Sequence, residues 1–191
     1  MLNAQYQYKL VEAGCDEVGR GCIAGPVVAA AVILPPDYKN KSIIDSKRLS
    51  HKKRKEVGQE IIDNATSWSI SEVSNNKIDE INILNASILA MHRSLDKLKV
   101  RPEFIIVDGN KFNPYRKISH ECIIKGDNKF QNIAAASILE KNYRDDLMKK
   151  LSLKYDKYSW ESNFGYPTKM HRDSLKKYGV TRYHRKSFKL L

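Results

Sequence analysis

The sequence predicts an α/β protein: a mixed five-stranded sheet flanked by helices, with a small helical C-terminal part. Three observations predict it. The run at 27–34, VVAAAVIL, is continuously apolar, as a strand buried on both faces must be. Ile81, Leu84, Ile88, Met91, Leu95 and Leu98 recur at spacings of three to four, which is one face of a helix. Short apolar strands also follow helical stretches along the chain, an order that calls for crossover connections.

The elements follow in order. Residues 9–15 and 27–34 read as two strands close enough in sequence to pair antiparallel, and Pro35-Pro36 ends the second. A loop through Asp45 leads to a helix at about 50–64, with Ser50 as its N-cap. Residues 67–74, with Trp68, Ile70 and Val73, read as a third strand of imperfect alternation. A helix over 81–98 carries the apolar stripe. Residues 104–107 form a short strand running into Asp108-Gly109, and 122–124 another that ends at Lys125-Gly126-Asp127. A long helix is expected over 131–151, and a last one over 168–178, closed by Gly179. The whole of 1–191 is read as one domain, with about 152–191 as a basic helical extension.

Composition narrows the class. With 41% hydrophobic residues in 191, the chain has material for a real core and is not of the disordered type. No apolar run approaches the ~20 residues that cross a bilayer. The start, MLNAQYQYKL, lacks the layout of a signal peptide, so a cytoplasmic protein without membrane attachment is expected. Cysteines at 15, 22 and 122, without CxxC spacing, support neither a disulfide framework nor a structural zinc site. Reduced thiols in or near the core are expected, with a redox pair of Cys15 and Cys22 as the minor alternative.

The net charge of +12 favours polyanionic partners, and its placement says more. Residues 39–55 hold eight Lys or Arg against Asp45 alone, and 141–191 hold fourteen against five acids. Two basic segments on a nearly neutral body suggest a binding surface, although some of these charges belong to solvated helix faces.

The acids cluster differently. Asp16-Glu17 follow the first strand, Asp108 ends the fourth and Asp127 follows the fifth. Ligand crevices of α/β sheets open at such ends. Singly, an Asp there is a turn former or a helix cap. Jointly, four converging carboxylates repel one another unless a cation lies between them. Oxygen ligands without His or Cys favour Mg²⁺ or Mn²⁺, and the five histidines show no zinc spacing. Such ions beside a basic surface suit phosphoryl chemistry, in which two of them activate a water and stabilise the leaving oxygen. Gly19-Arg20-Gly21, directly after the acidic pair, either brings backbone close to a ligand or makes a tight turn. No GxxxxGK[ST] phosphate loop is present.

These residues also form a recognisable series. Residues 15–21, CDEVGRG, then 25–34, GPVVAAAVIL, closely resemble the opening of ribonuclease HII, the bacterial type 2 ribonuclease H. The resemblance continues through 45–50, DSKRLS, through 78–84, IDEINIL, and through 107–110, VDGN. It runs on through 125–127, KGD, 134–138, AAASI, 165–168, GYPT, and 184–188, HRKSF. One DExGRG could arise by chance; this ordered series over nearly the whole chain is specific. The resemblance implies a ribonuclease H-like sheet. It implies endonucleolytic cleavage of the RNA strand of RNA–DNA hybrids, with 5′-phosphate and 3′-hydroxyl products. It also implies incision 5′ of single ribonucleotides embedded in duplex DNA, by two-metal-ion catalysis, and the start of ribonucleotide excision. Asp16, Glu17, Asp108 and Asp127 are then the catalytic acids, the first three holding Mg²⁺ or Mn²⁺. Gly19, Arg20 and Gly21 sense the ribose 2′-OH, the group that distinguishes RNA locally. Tyr166 packs at the RNA–DNA junction, Lys47 contacts phosphate, and Ser46 and Ser137 are weaker substrate contacts.

Four residues depart from the family pattern. Cys22 stands where Pro is common, Glu140 where a small residue is common, and Asn163-Phe164 where His-Lys is frequent. A monomer without a long C-terminal clamp-binding tail is expected. Two rival readings remain at this level. A junction resolvase or transposase-type nuclease would share the acids but not need Gly19-Arg20-Gly21 or Tyr166. A non-catalytic nucleic-acid-binding module would share the basic segments but have no use for acids at three strand ends.

Overall fold

A computed structural model describes residues 2–191. Five strands, β1 (Glu12–Val18), β2 (Val27–Ile33), β3 (Ser67–Val73), β4 (Phe104–Asp108) and β5 (Ser119–Ile123), form one sheet in the order β3-β2-β1-β4-β5. β1 pairs antiparallel with β2 and parallel with β4, β2 pairs antiparallel with β3, and β4 pairs parallel with β5. The expected mixed sheet with flanking helices is thus observed.

The helices are α1 (His51–Asn64), α2 (Asn75–Ile81), α3 (Ile83–Asp96), α4 (Gln131–Ser152), α5 (Trp160–Asn163) and α6 (Lys169–Tyr178). Ser50 caps α1 by accepting from the Lys53 amide (3.3 Å), as its sequence position implies. β2 is buried along its full length, and alternation divides its residues between two cores. Ala29, Ala31 and Ile33 meet Ile88, Met91 and Leu95 of α3 on one face. Ala30 and Val32 meet Val57 and Ile61 of α1 and the Ala134–Ala136 stretch of α4 on the other. α4 lies directly on β1, because Gly14 has no side chain: a Cβ there would stand 2.5 Å from the Ile133 amide nitrogen.

Four expectations change. β1 begins later and runs further than 9–15, so Asp16 and Glu17 lie inside the strand rather than after it. The central strand keeps its acids because neighbours cover them. β5 begins at Ser119, three residues before the apolar stretch that marked it. The helix over 81–98 is two helices broken at Asn82, whose φ of 67° takes it out of the helical region. Its side chain then accepts from the Asn85 amide (3.0 Å) and caps α3. β3 alternates regularly rather than imperfectly: Ser67, Ser69, Ser71 and Val73 point inward, while Trp68 and Ile70 face the α1 side.

The C-terminal residues build a separate aromatic core from Tyr158, Trp160 and Leu175, which also takes in Ile23, Ala24 and Met148. That core fixes the segment to the loop between β1 and β2. Asp79 in α2 ties the chain down again, accepting from the Lys186 and Ser187 amides (2.9 and 3.0 Å). Cys15 and Cys22 are buried and unpaired, and burial pushes both thiols up, away from the thiolate that redox chemistry uses.

Candidate active site

The parallel register of β1 and β4 aligns Gly14 with Ile106 and Cys15 with Val107, so Asp16 and Asp108 follow at the same level. They share the parity of Gly14, the residue against which α4 packs, and so face that helix. Asp127 enters from the 3-10 turn Gly126–Asn128 after β5. Glu17 points the other way by alternation, yet still lines the cleft at the strand end. A cleft of about 480 Å³ brings these four acids together with Gly19, Arg20, Gly21, Ser46, Lys47 and Tyr166. Every sequence-predicted site residue therefore lines one cavity.

Each acid is held by a specific donor. Asp16 Oδ1 accepts the Glu17 amide (2.7 Å), Asp108 Oδ1 the Gly126 amide (2.6 Å) and Asp127 Oδ1 the Asn128 side-chain amide (3.0 Å). Arg20 reaches Glu17 at 3.1 Å. Burial raises the Asp16 carboxyl well above the usual range, and repulsion from Glu17 and Asp108 adds to it. The Glu17 amide and the Ser137 hydroxyl pull in the opposite direction. Glu17 is pushed up to about 7 by burial, against the restraining charge of Arg20. Asp108 is raised by burial as well, with the Gly126 amide opposing.

These shifts describe negative charge gathered where water cannot screen it, which a cation would relieve. The donor chemistry fits a hard divalent ion: carboxylate oxygens, clustered and partly dry. The arrangement is open, however. Among the described residues no three His, Cys, Asp or Glu side chains stand together as a preformed metal-binding group.

The neighbouring loop is held from below by two buried guanidiniums. Arg144 donates to the carbonyls of Ala24 (3.1 Å), Pro26 (3.1 Å) and Phe164 (2.8 Å). Arg185 donates to those of Arg20 and Gly25, both at 3.0 Å. Among the described residues neither forms an ion pair; both donate to backbone carbonyls, while Arg185 Nη2 is buried without a partner. Because the peptide is planar and trans, the Arg20 carbonyl that meets Arg185 turns the Gly21 N–H the opposite way. Gly19 has a φ of 94° and sits against the Arg144 side chain, so a side chain there meets both strain and a clash.

Tyr166 is exposed at the cleft, and a histidine relay fixes its backbone. The Thr181 amide donates to His184 Nδ1 (2.9 Å), which places the His184 proton on Nε2. That proton points to His171 Nε2 (3.1 Å), which also receives Trp160 Nε1–H (3.0 Å). The His171 proton is thereby assigned to Nδ1, which donates to the Tyr166 carbonyl (2.9 Å). Both rings must be neutral. Burial, then the neighbouring His171, depresses His184 to about 4 from its ordinary 6.5. The unfolded chain therefore binds this proton first as pH falls, so stability is lost between about pH 6.5 and 4. The loss is roughly 3 kcal/mol, or about 6–12 °C in melting temperature. Thermal denaturation at pH 7 and pH 4.5 should show a steeper loss in the wild type than in His184→Gln. Equal slopes would contradict the neutral relay.

Sequence reasoning passed over Lys141 and Arg144. Lys141 also lines the cleft and bonds Asp145 at 2.6 Å. The available signal was helical spacing: 137, 140, 141 and 144 are successive positions on one face of α4. Ser137, a weak candidate, bonds Ser46 at 3.0 Å inside the cleft. Glu140, marked as a departure, is also there, buried, and raised far above the usual range by burial and then by Asp16, Glu17 and Asp108.

A mixed sheet whose strand ends gather four carboxylates beside lysines defines the class: a ribonuclease H-like nuclease. The family model described as Ribonuclease HII matches residues 13–191, and the chain belongs to that family, as a ribonuclease H endonuclease acting on RNA–DNA hybrids. It is 60% identical to a ribonuclease HII of Christiangramia forsetii over 191 residues, all of this chain and 96% of the relative. Among solved structures it is similar to the ribonuclease H2 of Pyrococcus horikoshii, with a TM-score of 0.80, 25% identity and 94% of each chain covered. It is likewise similar to the Archaeoglobus fulgidus ribonuclease HII solved in complex with PCNA, with a TM-score of 0.79 and 27% identity over 95% of this chain and 96% of that one. The family depends on divalent metal ions. Among the described residues no helix is long and apolar enough to cross a membrane.

Proposed function

We propose that this ribonuclease H incises the strand on the 5′ side of a single ribonucleotide embedded in duplex DNA, as well as within longer RNA tracts, leaving 5′-phosphate and 3′-hydroxyl ends. One observation carries the reading: the four acids, the Gly19-Arg20-Gly21 loop and Tyr166 line the same cleft. Cutting chemistry and sugar recognition then act on neighbouring nucleotides.

The division of labour follows from each group's chemistry. Lys47 and Lys141 attract the scissile strand through its phosphates, without reading sequence. The loop, pinned by Arg144 and Arg185, presents backbone polar groups to the 2′-OH at fixed positions. Tyr166, held by His171, packs its ring against the deoxyribose side of the junction. Asp16, Glu17 and Asp108 are the residues that would hold the ions, with Asp127 completing the site. Mg²⁺ or Mn²⁺ bound there would supply Lewis-acid activation of water and charge stabilisation of the leaving 3′-oxygen in a two-ion hydrolysis. Arg20 holds Glu17 in place at 3.1 Å.

The test is a DNA duplex with one internal ribonucleotide, run beside a uniform hybrid and an all-DNA four-way junction, with Mg²⁺ and Mn²⁺ in parallel. The expected result is ion-dependent cleavage of the first two, with the cut 5′ of the lone ribonucleotide. Cleavage of the junction alone would instead favour a resolvase.

A further inference from the structure

Glu140 is a buried acid without an assigned task. It lies on α4 one turn beyond Ser137, and its side chain enters the acid cleft. It is 2% exposed, and its Oε2 has no hydrogen-bond partner among the described residues. The other buried acids are all engaged. Glu12 takes the Tyr6 and Gln7 amides (3.1 Å each at Oε2) and Asn132 (3.2 Å). Asp145 takes Arg54 and Lys141, both at 2.6 Å. Asp16 and Asp127 have the donors already described. Lys141 follows Glu140 directly in sequence but is committed to Asp145, and exposed Lys47 forms no bond to Glu140.

A buried carboxyl with an orphan oxygen costs free energy in either protonation state. An apolar or small residue at the same helical position would avoid that cost. A carboxyl placed among other carboxylates is useful when a cation arrives, because the cation then satisfies the orphan oxygen and the surrounding charges together.

We propose that Glu140 is a fifth acid of the cleft, a carboxylate that contacts a divalent cation beside Asp16 and strengthens its binding. This rests on the reading of Asp16, Glu17 and Asp108 as ion-holding residues. It places one ion contact on α4, a helix that otherwise lends the cleft only Ser137 and Lys141. The ion would thereby be tied to the element that also anchors the sugar-sensing loop through Arg144.

The test needs no substrate. Metal-free protein is titrated with Mn²⁺ by calorimetry, as wild type, Glu140→Gln, Glu140→Ala and Asp16→Asn, and each metal-free protein is also melted. Both Glu140 variants should bind Mn²⁺ about tenfold or more weakly, or take up fewer ions. Their metal-free melting temperatures should equal or exceed the wild type's, since an orphan acid has been removed. If Glu140→Ala does not fold, the isosteric Glu140→Gln carries the comparison. Unchanged Mn²⁺ affinity and stoichiometry in a folded Glu140 variant would overturn the inference and leave Glu140 a tolerated buried acid. Asp16→Asn separates the two levels. If it loses Mn²⁺ while the Glu140 variants do not, only this inference fails. If it too binds like the wild type, the ion-holding role of the strand-end acids fails with it.

Discussion

Asp16→Asn is expected to lower the cleavage rate of an RNA–DNA hybrid by at least about a thousandfold, the equivalent of several kcal/mol of lost charge stabilisation in the transition state. Binding of the hybrid should survive. Asparagine fills the same volume, its Oδ1 can still accept the Glu17 amide, and the lysines of the cleft are untouched. Removing one of several crowded charges also lessens the repulsion that raises the Asp16 carboxyl. The metal-free variant should therefore melt no lower than the wild type. Rate, binding and melting temperature measured together separate a missing chemical group from a damaged fold. Near-normal turnover would remove Asp16 from the mechanism.

The second large effect concerns Arg144, which reads in the sequence as one more charge in a basic helix. It is fully buried and satisfies three carbonyls from two distant segments. Arg144→Met keeps much of the volume and strands those carbonyls, at a cost on the order of 4 kcal/mol after partial relaxation. Melting temperature should fall by roughly 8–16 °C. The Gly19–Gly21 loop loses its support at the same time, so kcat/KM should fall even at temperatures where the variant is folded. Arg144→Lys should rescue little, because one ammonium cannot match the forked geometry that reaches Ala24, Pro26 and Phe164 together. A wild-type melting temperature for Arg144→Met would show that water replaces the guanidinium without loss.

Much of this was legible from residue order. The apolar run of β2, the stripe of α3, the Ser50 cap and the Gly179 stop each carry a local cause that tertiary structure leaves alone. The acids could be read because several fell where apolar stretches stop. What escaped the reading had a tertiary cause. Asp16 and Glu17 seemed to lie beyond a strand because charge is disfavoured in a central one. Packing of α4 over β1, which buries Asp16, overrides that preference. The break at Asn82 is invisible to periodicity, since Ile81 and Leu84 keep the stripe in phase across it. The inward serines of β3 look like its solvent face until α3 is seen packed over them; Ser69, for example, donates to the Ser94 carbonyl. Arg144 and Arg185 pass for surface charges in a chain of net charge +12. Only the loop folded over them shows that they are internal fasteners.

The central claim is that this cleft cuts where it finds a ribose. The most direct measurement compares two duplexes identical except at one sugar, a single ribonucleotide in one and its 2′-fluoro-2′-deoxy counterpart in the other, under saturating Mg²⁺ or Mn²⁺. The predicted result is a single incision 5′ of the ribonucleotide and, for the fluoro duplex, a rate lower by about two orders of magnitude or more, the scale of a site left with unpaired polar groups. Equal cleavage of the two duplexes would contradict it: the acids would then be a nuclease centre indifferent to the 2′-OH, and the loop at Gly19–Gly21 no more than a turn.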